Sequence, residues 1–77
     1  MSVTVYSTNS CPWCVKAKDF LKDNKVAFKE VNVAEDSKGL QDMEEKSGQR
    51  GVPVIDANGT IIVGFDRDAL KAALKIK

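Results

Sequence analysis

Apolar residues in this chain recur with two different periods that take turns along the sequence, and no other feature limits the possible folds as strongly. Val3 to Tyr6 is a short β-branched and aromatic run that ends in the polar stretch Ser7-Thr8-Asn9-Ser10, the pattern of a strand followed by a loop. From Cys14 the period changes: Ala17, Phe20 and Leu21 recur at three- and four-residue steps, the spacing of one helix face. Pro12 takes the first helical position, where its missing N–H costs nothing and its preset φ suits the turn, and Asn24 supplies a stop. Ala27 to Val33 returns to alternation, with Phe28, Glu30 and Asn32 offset from Val31 and Val33, and predicts a second strand. Glu35 to Gly48 then predicts a polar helix, capped by Asp36 or Ser37, with Leu40 and Met43 facing inward and Gly48 at the exit. Its apolar stripe is thin, and Gly39 weakens it further.

Two more strands follow, Val52 to Asp56 and Thr60 to Phe65, joined across Ala57-Asn58-Gly59. Asn-Gly between apolar runs favours a tight turn, so these two strands form an antiparallel hairpin. From Asp66, a natural cap, Ala69, Leu70, Ala73 and Leu74 fall on one face of a terminal helix that runs on through Ile76 and Lys77. The order is β-α-β-α-β-β-α. A right-handed crossover makes the first two strands parallel, the hairpin extends the sheet antiparallel to them, and helices cover its faces. The expected class is α/β, a four-stranded mixed sheet flanked by three helices, in one domain over residues 1–77.

Composition matters here chiefly for what it excludes. An apolar share of 43% and a charged share of 30% are those of an ordinary globular chain. Twelve Lys and Arg against 11 Asp and Glu leave a net charge of +1, which argues against a nucleic-acid or membrane-surface binder. Lys16, Lys18, Lys22 and Lys25 do cluster, but Asp19 and Asp23 are interleaved among them, as on a solvated helix face. No apolar stretch approaches the ~18 residues of a membrane span, and no secretory signal is visible, so a cytoplasmic location is expected.

That expectation bears on the two cysteines, which both lie in Ser10-Cys11-Pro12-Trp13-Cys14. In a thiol-reducing compartment a close pair is catalytic or metal-binding more often than structural. A staple across four residues is worth at most about 2 kcal/mol in chain-entropy terms. A closed zinc site wants four Cys or His ligands, and this chain has two thiols and no histidine. An iron–sulfur cluster shared across a dimer is the alternative metal reading, and a plain interaction domain with incidental cysteines is a third. The acidic pairs Glu35-Asp36 and Glu44-Glu45 suit a helix start and a solvated helix face respectively. Gly48, Gly51 and Gly59 are too scattered for a phosphate loop.

Placement on the helix favours redox chemistry. Cys11 falls at the cap position and Cys14 one turn inside, so their sulfurs can meet at the helix end. The unpaired N–H groups and partial positive charge there favour a thiolate. Cys11 is therefore read as the exposed nucleophile and Cys14 as the shielded resolving thiol of a dithiol–disulfide exchange.

Cys-x-x-Cys at a helix start after a first strand, in this element order, resembles the thioredoxin superfamily. The closer likeness is to glutaredoxins, and among them to the short redoxins related to the ribonucleotide-reductase-associated ones. Val5 to Cys14 is similar to the family's strand, polar loop and Cys-Pro-aromatic-Cys, Gly51 to Val54 resembles its cis-proline segment, and Val63 to Leu70 its glycine-containing turn into the last helix. The resemblance implies a thioredoxin-like fold and a thiol–disulfide oxidoreductase acting on disulfide-containing proteins or on mixed disulfides with glutathione. It further implies no tightly bound cofactor, electrons from glutathione or a thioredoxin reductase, and action as a monomer. It places Val52 and Pro53 beside Cys11, with a cis peptide bond before Pro53, and pairs the Val52 backbone with that of the substrate. Pro12 and Trp13 join the substrate rim, and Gly64, Phe65 and Asp66 border the same groove, where glutathione-using members hold the γ-glutamyl end of glutathione.

Four departures bear on the electron source. Thr8 stands where many glutathione-dependent members have lysine, and Asp66 is followed by Arg67 instead of a second acid. Ile62-Val63 stands where the ribonucleotide-reductase-associated redoxins usually have Trp-Ser, and Pro12-Trp13 where they usually have other residues between the cysteines, so the chain sits between the two patterns.

Overall fold

The seven expected elements form in the expected order, in a computed structural model that describes residues 2–75. They are β1 (Val3–Ser7), α1 (Pro12–Asp23), β2 (Lys29–Asn32), α2 (Ser37–Ser47), β3 (Val54–Ala57), β4 (Thr60–Val63) and α3 (Arg67–Leu74). The stretch expected to carry the last helix through Ile76 and Lys77 lies outside the described residues.

The strands lie in the order β2-β1-β3-β4. β1 and β2 are parallel, with Val5 opposite Glu30, and Val33 N–H continues that ladder to Ser7 C=O at 2.9 Å. β3 runs antiparallel to both β1 and β4, with Val5 opposite Ile55 and Ile55 opposite Ile62. The alternation of side chains sorts the sheet into two faces. Val3, Val5, Ile55, Ala57 and Ile62 pack against Ala17 and Leu21 of α1 and Leu70 and Leu74 of α3. Tyr6 and Val54 face the other way, with Val33 and with Met43 of α2. The result is three layers, with α1 and α3 on one side and α2 on the other.

Local chemistry explains where the elements begin and end. Asp36, not Ser37, caps α2: its Oδ1 accepts from Gly39 N–H at 2.9 Å. Gly48 closes that helix in the left-handed region, with φ of 73°. Asp66 caps α3 in the same way, accepting from Ala69 N–H at 3.0 Å. Asn58 and Gly59, with φ of 53° and 99°, form a two-residue turn, and Asp56 Oδ1 accepts from Gly59 N–H at 2.8 Å.

Several boundaries differ from those the sequence suggests. β3 starts at Val54 instead of Val52, because Pro53 has no N–H to give to a ladder. β4 stops at Val63, short of Phe65, because Gly64 at φ of 82° turns the chain out of the extended region. Gly39 also reads differently. A Cβ there would stand 2.5 Å from Val31 Cγ1, so this glycine lets α2 lie directly on β2.

Candidate active site

β1 delivers the chain to the edge of the helical layer, and Thr8 to Ser10 carry it across to Cys11. Cys11 is the N-cap of α1, with extended backbone angles of −111° and 102°. Its carbonyl accepts the first helical bond from Val15 N–H at 3.2 Å, and its Sγ accepts from Cys14 N–H at 3.1 Å. Sulfur thus fills the role that an Asp or Ser oxygen fills at other caps. The first turn of α1 holds no acidic side chain, so nothing opposes a negative charge on Cys11.

The two thiols are unequal in exposure. Cys11 is half-buried, whereas Cys14 is completely buried under the helix end. Their Cα atoms are 5.2 Å apart and their sulfurs stand at disulfide distance. Pro12 occupies the first helical position and is exposed. Trp13 is 57% exposed, and Lys16 Nζ sits 4.4 Å from the centre of its ring, a cation–π contact within one helical turn.

The approach to the cysteines is bordered by Trp13 and by residues from two other parts of the chain. Trp13, Val52, Pro53, Gly64 and Phe65 line an apolar cleft of about 290 Å³. Pro53 is fully buried behind a cis peptide bond, and its carbonyl accepts from Gly64 N–H at 2.8 Å. That bond ties the start of β3 to the end of β4. Phe65 is held from behind by an edge contact with Phe20, 5.9 Å between ring centres.

On the other side of Trp13 and Phe65 lies a larger, polar cleft of about 670 Å³, lined also by Asp66, Arg67, Asp68 and Lys71. Asp66 therefore reaches this cleft while its carboxylate caps α3. Arg67, Asp68 and Lys71 line this cleft beside Asp66, and sequence reasoning did not single them out. Their signal was available: positions one, two and five after a capping aspartate lie on the turns that flank it. Arg67 also lies 5.9 Å from the centre of the Phe20 ring. Beyond the Thr8 loop, Ser7, Thr8, Asn9, Val15, Lys18, Glu30 and Asn32 line a third recess of about 300 Å³. It is closed by the Lys18–Glu30 ion pair at 2.6 Å and by Asn32 Nδ2 donating to Asn9 Oδ1 at 2.8 Å.

The structure thus brings Val52, Pro53 and Gly64 to one cleft and Asp66 to the adjoining one, with Trp13 and Phe65 shared between them, at the end of α1 that carries Cys11. Cys14 lies beneath it, and Cys11 sits at the helix tip without lining either cleft. The acidic pairs take structural places, with Asp36 as a cap and Glu44 paired to Arg50. Among the described residues no three Cys, His, Asp or Glu side chains gather where they could hold a metal ion. No helix among them is long and apolar enough to cross a membrane.

Charges that depart from their ordinary behaviour lie elsewhere, on the α2 face. Lys46 Nζ donates to Tyr6 Oη at 3.0 Å and to Asp56 Oδ2 at 2.9 Å. Those two bonds, the Tyr6 one first, hold the lysine well above its usual range. Burial pushes the Asp56 carboxyl up, but the Lys46 and Gly59 hydrogen bonds and the lysine charge together bring it below its usual value.

Comparison with known proteins agrees with this geometry. The family model described as glutaredoxin matches residues 3–62. The glutaredoxin-like 8.6 kDa protein in the rubredoxin operon of Clostridium pasteurianum is 49% identical over 65 residues, covering 84% of this chain and 87% of that one. The crystal structure of the thioredoxin-like protein BC3987 mutant T8A superposes with a TM-score of 0.93 at 30% identity, over 99% of this chain and 97% of that one. The glutaredoxin-like protein NrdH-redoxin from Escherichia coli, whose structure is described as the basis of a thioredoxin-like activity profile, superposes with a TM-score of 0.85. It is 25% identical, over 94% of this chain and 93% of that one.

Proposed function

The chain belongs to the glutaredoxin family and is a thiol–disulfide oxidoreductase, and on that footing we propose that it reduces protein disulfides through Cys11 as nucleophile and Cys14 as resolving thiol. The observation that carries this assignment is the asymmetry of the pair. Cys11 is reachable and its Sγ accepts a helix N–H, whereas Cys14 is fully buried. Only the first can meet a bulky disulfide, and only the first has its anion stabilised by the helix start.

The reaction follows in two exchanges. The Cys11 thiolate attacks one sulfur of the substrate, forming a mixed disulfide and releasing the other sulfur as a thiolate that takes up a proton. Cys14 then loses its proton and attacks Cys11 Sγ. The mixed bond breaks, the second substrate thiol leaves, and two electrons have passed to the substrate. The protein is left with a Cys11–Cys14 disulfide that a reductant must reopen.

Substrate binding is assigned to the groove. Among the described residues Val52 makes no hydrogen bond through its N–H or C=O, so both can pair with an extended substrate backbone. Such pairing has the backbone geometry of an added strand, although Val52 precedes a strand inside the sheet. Trp13, Pro53, Gly64 and Phe65 supply apolar contact and Asp66 offers a carboxylate at the polar end; Pro12, exposed at the helix start next to Trp13, is proposed to extend the rim.

Thioredoxin reductase is proposed as the electron source ahead of glutathione. Thr8 is neutral where the glutathione-dependent pattern has a lysine, and Arg67 replaces the second acid after Asp66. The thioredoxin-like activity profile ascribed to the E. coli structural neighbour points the same way. Both cysteines and the residues proposed to bind substrate come from one chain, which supports action as a monomer; a cytoplasmic location is proposed because a reducing compartment keeps such a thiol pair catalytic. The test is an NADPH-coupled assay on a disulfide protein, comparing thioredoxin reductase with glutathione plus glutathione reductase. Faster turnover with thioredoxin reductase is expected. The reverse order would put glutathione first, and no turnover with either would sink the assignment.

A further inference from the structure

The segment between α2 and β3 contains a hydrogen-bonded arrangement that neither the cysteines nor the groove requires. The side-chain carboxamide of Gln49 grips the backbone of Gly51 at both ends. Its Oε1 accepts from Gly51 N–H, and its Nε2 donates to Gly51 C=O at 3.1 Å. The second hydrogen on Nε2 goes to Ser47 Oγ at 3.1 Å, and Ser47 Oγ reaches Met43 C=O at 2.7 Å. Met43 is fully buried, so the chain of bonds begins at a core residue of α2 and finishes on Gly51.

Gly51 suits this arrangement for a steric reason. A Cβ on it would stand 2.6 Å from Gln49 Oε1, so any larger residue evicts the amide.

The consequence concerns the next residue. Gly51 C=O and Val52 N–H belong to the same planar peptide unit, and in a trans unit they point in opposite directions. Holding one aims the other. On the far side of Val52, Pro53 is fully buried and its C=O is tied to Gly64 N–H at 2.8 Å. Val52, whose own N–H and C=O find no partner among the described residues, is thus bracketed by two anchors.

We infer that Gln49 is a positioning residue, whose carboxamide sets the direction in which Val52 N–H is presented to the backbone of a disulfide substrate. The inference rests on the reading of Val52 given above, and deepens it by naming what orients that donor. Without Gln49 the Gly51–Val52 peptide can rotate, and the donor must be ordered each time a substrate binds. The chemistry at Cys11 is untouched by that motion.

The experiment uses dithiol-reduced full-length protein freed of excess reductant. It is mixed with a disulfide-linked pair of short peptides, or with hydroxyethyl disulfide, which has no amide groups to pair. Single-turnover oxidation is followed by the fluorescence of Trp13, the one tryptophan of the chain. Each rate is divided by that of the same disulfide with a simple thiol. Gln49→Ala is expected to lower the rate constant with the peptide disulfide about three- to tenfold, the span of one hydrogen bond's net worth. The rate with hydroxyethyl disulfide should stay within about twofold, on the same reasoning that Cys11 is unaffected. Gly51→Ala should repeat this selectivity by displacing the amide. Equal slowing with both disulfides would make Gln49 a stability residue only and overturn the inference, as would wild-type rates with both. The unaltered protein tests the underlying reading separately. If it shows no normalised preference for the peptide disulfide, backbone pairing at Val52 fails; if it reacts with neither disulfide, the Cys11 assignment fails.

Discussion

Replacing Gly39 with alanine should destabilise the protein, although helix propensity alone predicts the opposite. Gly39 lies in the first turn of α2 and is buried. Alanine is favoured over glycine in a helix by about 1 kcal/mol. Against that gain, the new Cβ would sit 2.5 Å from Val31 Cγ1, and 3.2 and 3.3 Å from Asp36 Cγ and Oδ2. The first distance is far inside the ~3.5–4.0 Å of an optimal carbon contact. Valine is stiff about χ1, so its methyl cannot swing away without leaving a preferred rotamer. Overpacking of this kind costs about 1–3 kcal/mol, and disturbing the Asp36 cap adds about 1 kcal/mol. The balance is a loss of about 2 kcal/mol, which in a domain of this size lowers Tm by roughly 8–16 °C. Thermal unfolding followed by circular dichroism measures it directly. Val31→Ala removes the colliding methyl, so the double variant should lose less than the sum of the two single losses, by about 1 kcal/mol. If Gly39→Ala melts at or above the wild-type temperature, or if the two losses simply add, α2 does not rest on β2 as described.

Three further outcomes are expected. Cys14→Ser should accumulate a mixed disulfide between Cys11 and a protein substrate, seen as a mass adduct on non-reducing analysis, while Cys11→Ser should form none; unimpaired turnover of protein disulfides by Cys14→Ser would refute the two-thiol mechanism. Leu21→Ala empties a fully buried site among Val5, Ile55 and Leu70 and should cost about 3 kcal/mol, a large part of the ~4–12 kcal/mol available to a chain of this length; a denaturation midpoint unchanged from wild type would contradict that packing. The folded Asp56 carboxyl titrates below its ordinary 3.8, so its contribution is present above that pH and lost as pH falls through the folded value. Lys46→Met leaves only the Gly59 hydrogen bond to oppose burial, so the acid-side fall in Tm should begin at a higher pH than in wild type; coincident pH profiles would show that the lysine does not set the titration.

Much of the fold was legible because its punctuation is local. Pro12, Asp36, Gly48, Asn58-Gly59 and Asp66 each act on backbone groups within about four residues, so each element start or turn could be read from a short window. The cysteine pair was legible for the same reason, since a cap position and the residue one turn inside it are neighbours by helix geometry alone. Boundaries were less so: the run from Val52 looks like a strand, but the ladder starts only after Pro53, where a strand partner and an available N–H first coincide.

The chain alone therefore determined the order of the elements, the place of Cys11 at a helix start and the class of chemistry that follows. What only tertiary structure decided depends on residues far apart in sequence. Gly39 is a flaw in an isolated helix and a necessity once β2 lies beneath it. Lys46 meets Tyr6 across 40 positions. Arg67, Asp68 and Lys71 become part of a cleft only because α3 begins beside Trp13. Local preferences come from backbone sterics and hydrogen bonds that act over a turn or less. Such contacts arise only when the layers stack, and the free energy that stacks them comes from burying the apolar faces of the sheet, a sum over the whole core.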